Sequence, residues 1–154
     1  MTTARAIAST TIKAPPTFVF DFLADPTTAP LIDPAIREYR PDQLPMRVGT
    51  RNLIRMRIWG LPVRAESLVT EWVAGRRMVM EGVKPTHPVK VSAVHTFDDD
   101  GDDCRYTWTM EVEATGLLGS LIARRFASFL QSNADAQQHL LRAEVERRWL
   151  GGQR

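Results

Sequence analysis

The stretch from Thr11 to Pro26, T-I-K-A-P-P-T-F-V-F-D-F-L-A-D-P, constrains the fold more than any other part of the chain. A Thr- and Ile-containing lead-in stops at a Pro-Pro pair, and a helical pattern starts at once. Proline sits well in the first turn of a helix, because its missing N–H would have no intrahelical partner there. Phe18, Val19, Phe22 and Leu23 then recur at helical spacing, which gives the helix one apolar stripe. A short helix this close behind a first strand, ahead of a series of strands and a long final helix, predicts a curved sheet wrapped around a helix. Such a shape encloses a pocket.

Ala4 to Lys13 has the residue types of a strand. Asp25 to Pro34, with three prolines and two threonines, is either a loop or a second short helix. Ile36 to Arg40 is expected as a short strand. From Val48 to Ile58 the alternation puts Asn52, Ile54, Met56 and Ile58 on one face and Arg51, Leu53, Arg55 and Arg57 on the other. Gly60 and Pro62 mark a turn before a strand from Val63 to Val73, with Ala65, Ser67 and Val69 inward and Arg64 and Glu66 toward solvent. Ala74-Gly75 turns into a strand over Arg76 to Val83, and Lys84 to Pro88 is a proline loop.

Val89 to Phe97 and Cys104 to Ala114 form a hairpin joined by Asp98 to Asp103, D-D-D-G-D-D. Its second strand alternates Tyr106, Trp108, Met110 and Val112 against Thr107, Thr109, Glu111 and Glu113. Leu117 to Arg148 is helical, with Leu118, Ile122, Phe126, Phe129, Asn133, Ala136 and Leu140 along one face. Strands in succession with helices at both ends imply an α+β class with a mainly antiparallel sheet. The 154 residues suit a single domain spanning 1–154.

A net charge of +2 is too small to point to nucleic acid, so no nucleic-acid partner is expected. The lone Cys104 excludes an internal disulfide and a cysteine-based zinc cluster. No run approaches the roughly 18 apolar residues of a membrane span, and M-T-T-A-R-A-I-A-S lacks an apolar signal core. A cytoplasmic protein is the expectation.

Three stretches together resemble the helix-grip superfamily, which takes in START-like lipid-transfer domains, polyketide cyclases and dehydratases, coenzyme-Q-binding proteins and the major birch-pollen allergen. They are the Thr11–Pro26 opening; V-G-T-R at Val48 to Arg51 with V-T-E-W at Val69 to Trp72 and R-R-M-V-M at Arg76 to Met80; and R-Y-T-W-T-M-E-V-E at Arg105 to Glu113 before the long helix. The resemblance runs from about Ile7 to Glu146. The chain departs from it where Leu31-Ile32 replaces a frequent tryptophan, and where Asp103-Cys104 replaces a frequent Gly-Thr pair. What the resemblance implies is a curved antiparallel sheet gripping the C-terminal helix, with a deep, mostly apolar cavity between them.

Polar groups projecting into such a cavity would orient its contents. His95 shares a strand face with Val91, Ala93 and Phe97, so it points inward, either as a general acid or base or as a hydrogen-bonded core histidine. Tyr106, Trp108 and Met110 lie on the inward face of the adjacent strand. Asn133 is the one polar residue at the centre of the final helix's apolar stripe, and a buried amide needs partners. Met56, Met78 and Met80 face inward, where methionine adapts to varied ligands or simply fills a core. The expected ligand contacts are therefore Met56, Met80, His95, Tyr106, Trp108, Met110, Ile122, Phe126, Phe129 and Asn133, with His95 and Tyr106 the catalytic pair if the protein is an enzyme.

The acidic hairpin tip is a solvated turn, because strands rather than helices flank it. His87, His95 and His139 fall on a loop, a strand and a helix, so no metal site is expected from them. No phosphate loop, nucleophile elbow or His-Glu-x-x-His pattern appears, so no cofactor is expected. The leading expectation is binding of a hydrophobic small molecule: a lipid, an isoprenoid or a polyketide-like compound. The alternatives are a cyclase- or dehydratase-type enzyme, in which His95 moves a proton and Tyr106 polarises a carbonyl, and an accessory module. The module would dock a partner, or weakly a membrane surface, through the outward stripe Arg51, Arg55, Arg57 and Arg64. No signal specifies an oligomeric state.

Overall fold

The computed structural model describes residues 2–58, 60–83, 89–114 and 116–153. Strand β1 (Thr2–Ile12) leads into α1 (Pro16–Ala24), whose first turn holds proline. The helix buries Val19, Phe20 and Phe22, while Phe18 and Leu23 sit half-buried at the edge of that face. Asp25 ends α1, and its side chain accepts the Thr27 N–H at 3.0 Å to start one 3-10 turn, Pro26–Thr28. The proline-rich segment then continues as a second short helix, α2 (Ala29–Ile32).

Six further strands follow: β2 (Ile36–Pro41), β3 (Arg51–Ile58), β4 (Leu61–Val73), β5 (Arg77–Gly82), β6 (Val89–Asp100) and β7 (Asp103–Ala114). All seven pair antiparallel in one sheet of order β1-β7-β6-β5-β4-β3-β2. Register shifts between Ile36 and Glu38 and between Val69 and Glu71 add local twist, and the sheet curves. The final helix, α3 (Gly116–Gly152), is 37 residues long and so spans about 55 Å. It lies across β1 and β7 and meets α1 and α2. This is the α+β helix-grip architecture. Among the described residues, no helix is long and apolar enough to cross a membrane.

Four features of the structure correct the sequence reading. β3 begins at Arg51 rather than Val48, because Arg47–Thr50 form a turn in which the Thr50 N–H reaches the Arg47 carbonyl at 3.0 Å. Pro62 lies inside β4, paired with Arg57; β5 pairs with β4 only from Ser67 onward, so its missing N–H faces no ladder. The acidic turn shortens to Gly101–Asp102, with Asp98 opposite Arg105 and Asp99 held by Arg76 at 3.0 Å. Those counter-charges let the acids stay in strands.

The fourth concerns α3. Its buried line runs through Leu130, Ala134, Gln137, Leu141 and Val145, while Leu140 is 42% exposed. Two glutamines explain the rotation. Gln131 donates to the Ile7 carbonyl at 3.0 Å and accepts the Ile7 N–H at 3.3 Å, so α3 satisfies the free backbone of edge strand β1 at that residue, and Gln138 adds a bond to the Ala8 carbonyl at 3.3 Å.

Candidate functional site

The β6/β7 register shows where packing stops. Phe97 faces Tyr106, and both are fully buried, with ring centroids 5.3 Å apart. Phe20 from α1 closes this end, its ring 5.1 Å from those of Phe97 and Trp72. One inward step along the strands His95 faces Trp108, and a further step on Ala93 faces Met110. The inward side chain of β6 shrinks from Phe to Ala, and β4 brings the small side chains of Ala65 and Ser67 to the same space. A cavity of about 410 Å³ opens there, bounded by β2 to β7, the α2 region and α3.

Met56, Met80, His95, Trp108, Met110, Phe129 and Asn133 line this space. Tyr106 does not: its side chain is fully buried behind His95, and any influence on a cavity occupant passes through that residue. Ile122 and Phe126 belong to α3, but their side chains lie outside the described residues, as does His87. His139 is exposed. Among the described residues, no three His, Cys, Asp or Glu side chains are grouped to hold a metal ion.

The His95 Nδ1 lies 2.6 Å from the Tyr106 hydroxyl. Burial lowers the imidazole's pKa to about 4, so the ring is neutral at pH 7. Burial also raises the Tyr106 phenol well above its ordinary value, with smaller contributions from the charges of Asp33 and Cys104. Neither partner is ionised near neutrality.

Asn133 is not a stray polar residue. Its Nδ2 donates to Oδ1 of Asp33 at 2.9 Å, and the Ala35 N–H donates to the same oxygen at 3.0 Å. Asp33 is 7% exposed and lines the cavity. Burial raises its pKa, while the bonds from Asn133 and Ala35 pull it back down. Sequence reasoning missed Asp33 because it closes a proline-rich connection. The signal was present in Asp33-Pro34, since aspartate accepting an N–H two residues on is a local turn. Tyr39, also missed, lines the cavity from β2 and donates to the Met80 Sδ at 3.3 Å, and burial raises its phenol pKa.

Outside the sheet, Arg51, Arg55, Arg57 and Arg64 are exposed as expected. Glu38 pairs with Arg40 and lies 3.4 Å from Arg55, and Arg57 donates to the Gly60 carbonyl at 3.1 Å. Such exposed pairs are worth little individually.

The family described as polyketide cyclase/dehydrase and lipid transport matches residues 3–146. No curated protein matches the sequence. Among solved structures, the Zhui aromatase/cyclase from Streptomyces sp. R1128 superposes with a TM-score of 0.79 at 17% identity, covering 96% of each chain. TTHA0849 from Thermus thermophilus gives 0.75 at 19% identity, over 92% of this chain and 96% of that one. A START superfamily protein from Mycobacterium smegmatis gives 0.74 at 14% identity, over 94% and 98%. At these identities the superpositions establish the fold, and the match across residues 3–146 establishes the lineage: the chain belongs to the polyketide cyclase/dehydrase and lipid transport family.

Proposed function

We propose that the protein binds a hydrophobic small molecule, of the lipid, isoprenoid or polyketide-like classes, in the cavity between sheet and α3. One observation carries this reading: an opening of about 410 Å³ whose walls are methionine, isoleucine, valine and aromatic side chains, with few polar groups. Pockets that enclose small organic ligands start at roughly 300 Å³. A ligand losing about 300 Å² of apolar surface to water would gain about 7 kcal/mol from burial, part of which association entropy takes back. Apolar burial alone therefore limits the Kd to about 10 μM, and tighter binding needs polar contacts as well. A cytoplasmic location belongs to the same proposal and rests on the single, buried Cys104.

The second reading is an enzyme of the cyclase or dehydratase type, and His95 on the cavity wall beside Tyr106 favours it. Confinement of a poly-carbonyl chain would supply much of such a rate, since orienting an intramolecular reaction is worth roughly 7–11 kcal/mol. No metal or organic cofactor enters either reading. The test is displacement of an environment-sensitive apolar fluorophore, paired with mass spectrometry of compounds extracted from the purified protein. Micromolar or tighter binding supports the reading. Failure of every apolar probe to bind, with no extracted compound, overturns it.

A further inference from the structure

We infer that Tyr106 fixes His95 as a hydrogen-bond donor into the cavity, so that the preferred ligand is neutral and carries a carbonyl or similar acceptor oxygen on an apolar body. This deepens the binding reading above and rests on it for its ligand half. The Tyr106 hydroxyl sets the direction of its bond to His95. The residue is fully buried, and its one hydrogen-bond partner among the described residues is the His95 Nδ1 at 2.6 Å. A phenol O–H buried without an acceptor is costly, whereas an unused lone pair costs less. If Nδ1–H donated to the hydroxyl, the phenol proton would have nowhere to go. Tyr106 therefore donates and Nδ1 accepts.

A neutral imidazole carries one proton, so that proton sits on Nε2. Nε2 has no hydrogen-bond partner among the described residues, and it lies on the ring edge turned away from Tyr106. His95 thus presents an N–H to the cavity, and could act there as a base only by shifting its proton to Nδ1 and reversing the bond to Tyr106. A carbonyl oxygen satisfies that N–H.

The charges facing the cavity sharpen the choice. Asp33, which lines the cavity, lies near enough to act electrostatically on Tyr106, and both of its hydrogen bonds fall on Oδ1, so its Oδ2 has no partner among the described residues. A ligand carboxylate placed at His95 would meet this acid. Arg64, Glu66 and Lys90 also line the cavity, but Lys90 stands five residues from His95 on β6, roughly 16 Å along the strand. No cation lines the His95 end among the described residues.

The first arm of the test is nitrogen NMR of histidine-labelled protein at pH 7, with the His95 signals assigned by their loss in His95→Phe. The expected spectrum has the proton on Nε2, and Tyr106→Phe should bring the Nδ1-protonated form up to a comparable population. A wild-type proton on Nδ1, or a Tyr106→Phe spectrum unchanged from wild type, overturns the inference without requiring any ligand. The second arm displaces an apolar fluorophore with acetylnaphthalene, ethylnaphthalene and naphthoate, three probes of matched shape. The ketone should bind about 2- to 10-fold tighter than the hydrocarbon, the worth of one net hydrogen bond, and lose that advantage in His95→Phe; naphthoate should bind more weakly than the ketone. Equal binding of ketone and hydrocarbon, or preference for the carboxylate, overturns the ligand half. Failure of all three and of the fluorophore instead sinks the binding reading, a result distinct from either.

Discussion

The two halves of α3 lie against the same sheet and meet it differently. The C-terminal half brings Leu141 and Val145 into one cluster with Ile12, Val19, Phe20, Phe97 and Tyr106. Trp149 adds an aromatic contact 5.0 Å from Phe18, and the Arg148 guanidinium sits 4.9 Å over the Phe22 ring. The N-terminal half instead turns Phe129, Leu130 and Asn133 toward the cavity. The difference arises on the sheet, where successive inward pairs change from Phe97–Tyr106 through His95–Trp108 to Ala93–Met110. Filled volume at one end stabilises the fold, and unfilled volume at the other forms the cavity. His95 stands on the boundary.

The largest expected effect tests the packed end. Phe97→Ala should cost about 3–5 kcal/mol in urea unfolding, because a large buried ring leaves a void its neighbours cannot close. Met56→Ala, on a half-buried side chain that already borders empty space, should cost only about 1 kcal/mol. Similar losses at the two sites would erase the distinction.

The boundary is tested by pH. The folded pKa of His95, about 4, lies below its ordinary 6.5, so between those values the unfolded chain binds a proton that the folded chain refuses. The contribution of His95 is therefore fully present above pH 6.5 and is lost as pH falls toward 4, by about 3 kcal/mol. Subtracting the pH dependence of His95→Phe from that of wild type should isolate this slope; the fixed cost of leaving Tyr106 without an acceptor does not affect it. Parallel curves would mean that His95 is well solvated.

Small-to-large changes separate the halves again. Ala134→Leu, at a fully buried site in the packed cluster, should cost about 1–3 kcal/mol by overpacking. Ala93→Leu, pointing into the cavity, should leave stability nearly unchanged while displacing bound probe. The smallest effect belongs to Asp33→Asn. Burial raises the folded pKa of Asp33, so its stabilising contribution is present below its ordinary value and fades as pH rises. Asparagine keeps an acceptor for Ala35 and Asn133 and removes the buried charge. The variant should be slightly more stable than wild type at pH 7, and the gain should shrink on acidification; a loss at pH 7 would show that the carboxylate is stabilised by its partners.

Much of this contrast is written in residue alternation. The inward series on β7, from Tyr106 to Val112, is legible because threonine and glutamate mark its other face without exception. The Pro-Pro entry to α1 is legible for the same reason: a local rule and a tertiary demand agree there. The His95–Tyr106 bond is not. His95 is directly opposite Trp108, and Tyr106 is its diagonal neighbour, so the contact depends on side-chain length and register. The true buried line of α3 is hidden because glutamines that satisfy the free edge of β1 look like solvent-facing residues. Asp33 is hidden because an acid in a proline-rich turn resembles every solvated loop acid until its Asn133 partner, 100 positions later, is brought against it.

Methionine methyl groups give the most direct test of whether the cavity takes up an apolar molecule. Met56, Met80 and Met110 line it, whereas Met46 is buried outside it. In carbon-labelled protein titrated with an apolar ketone, the methyl resonances of Met56, Met80 and Met110 should shift together and saturate at one equivalent, with Met46 unmoved. Saturable binding that leaves those three resonances in place, or that shifts Met46 alone, would put the ligand elsewhere and contradict the account.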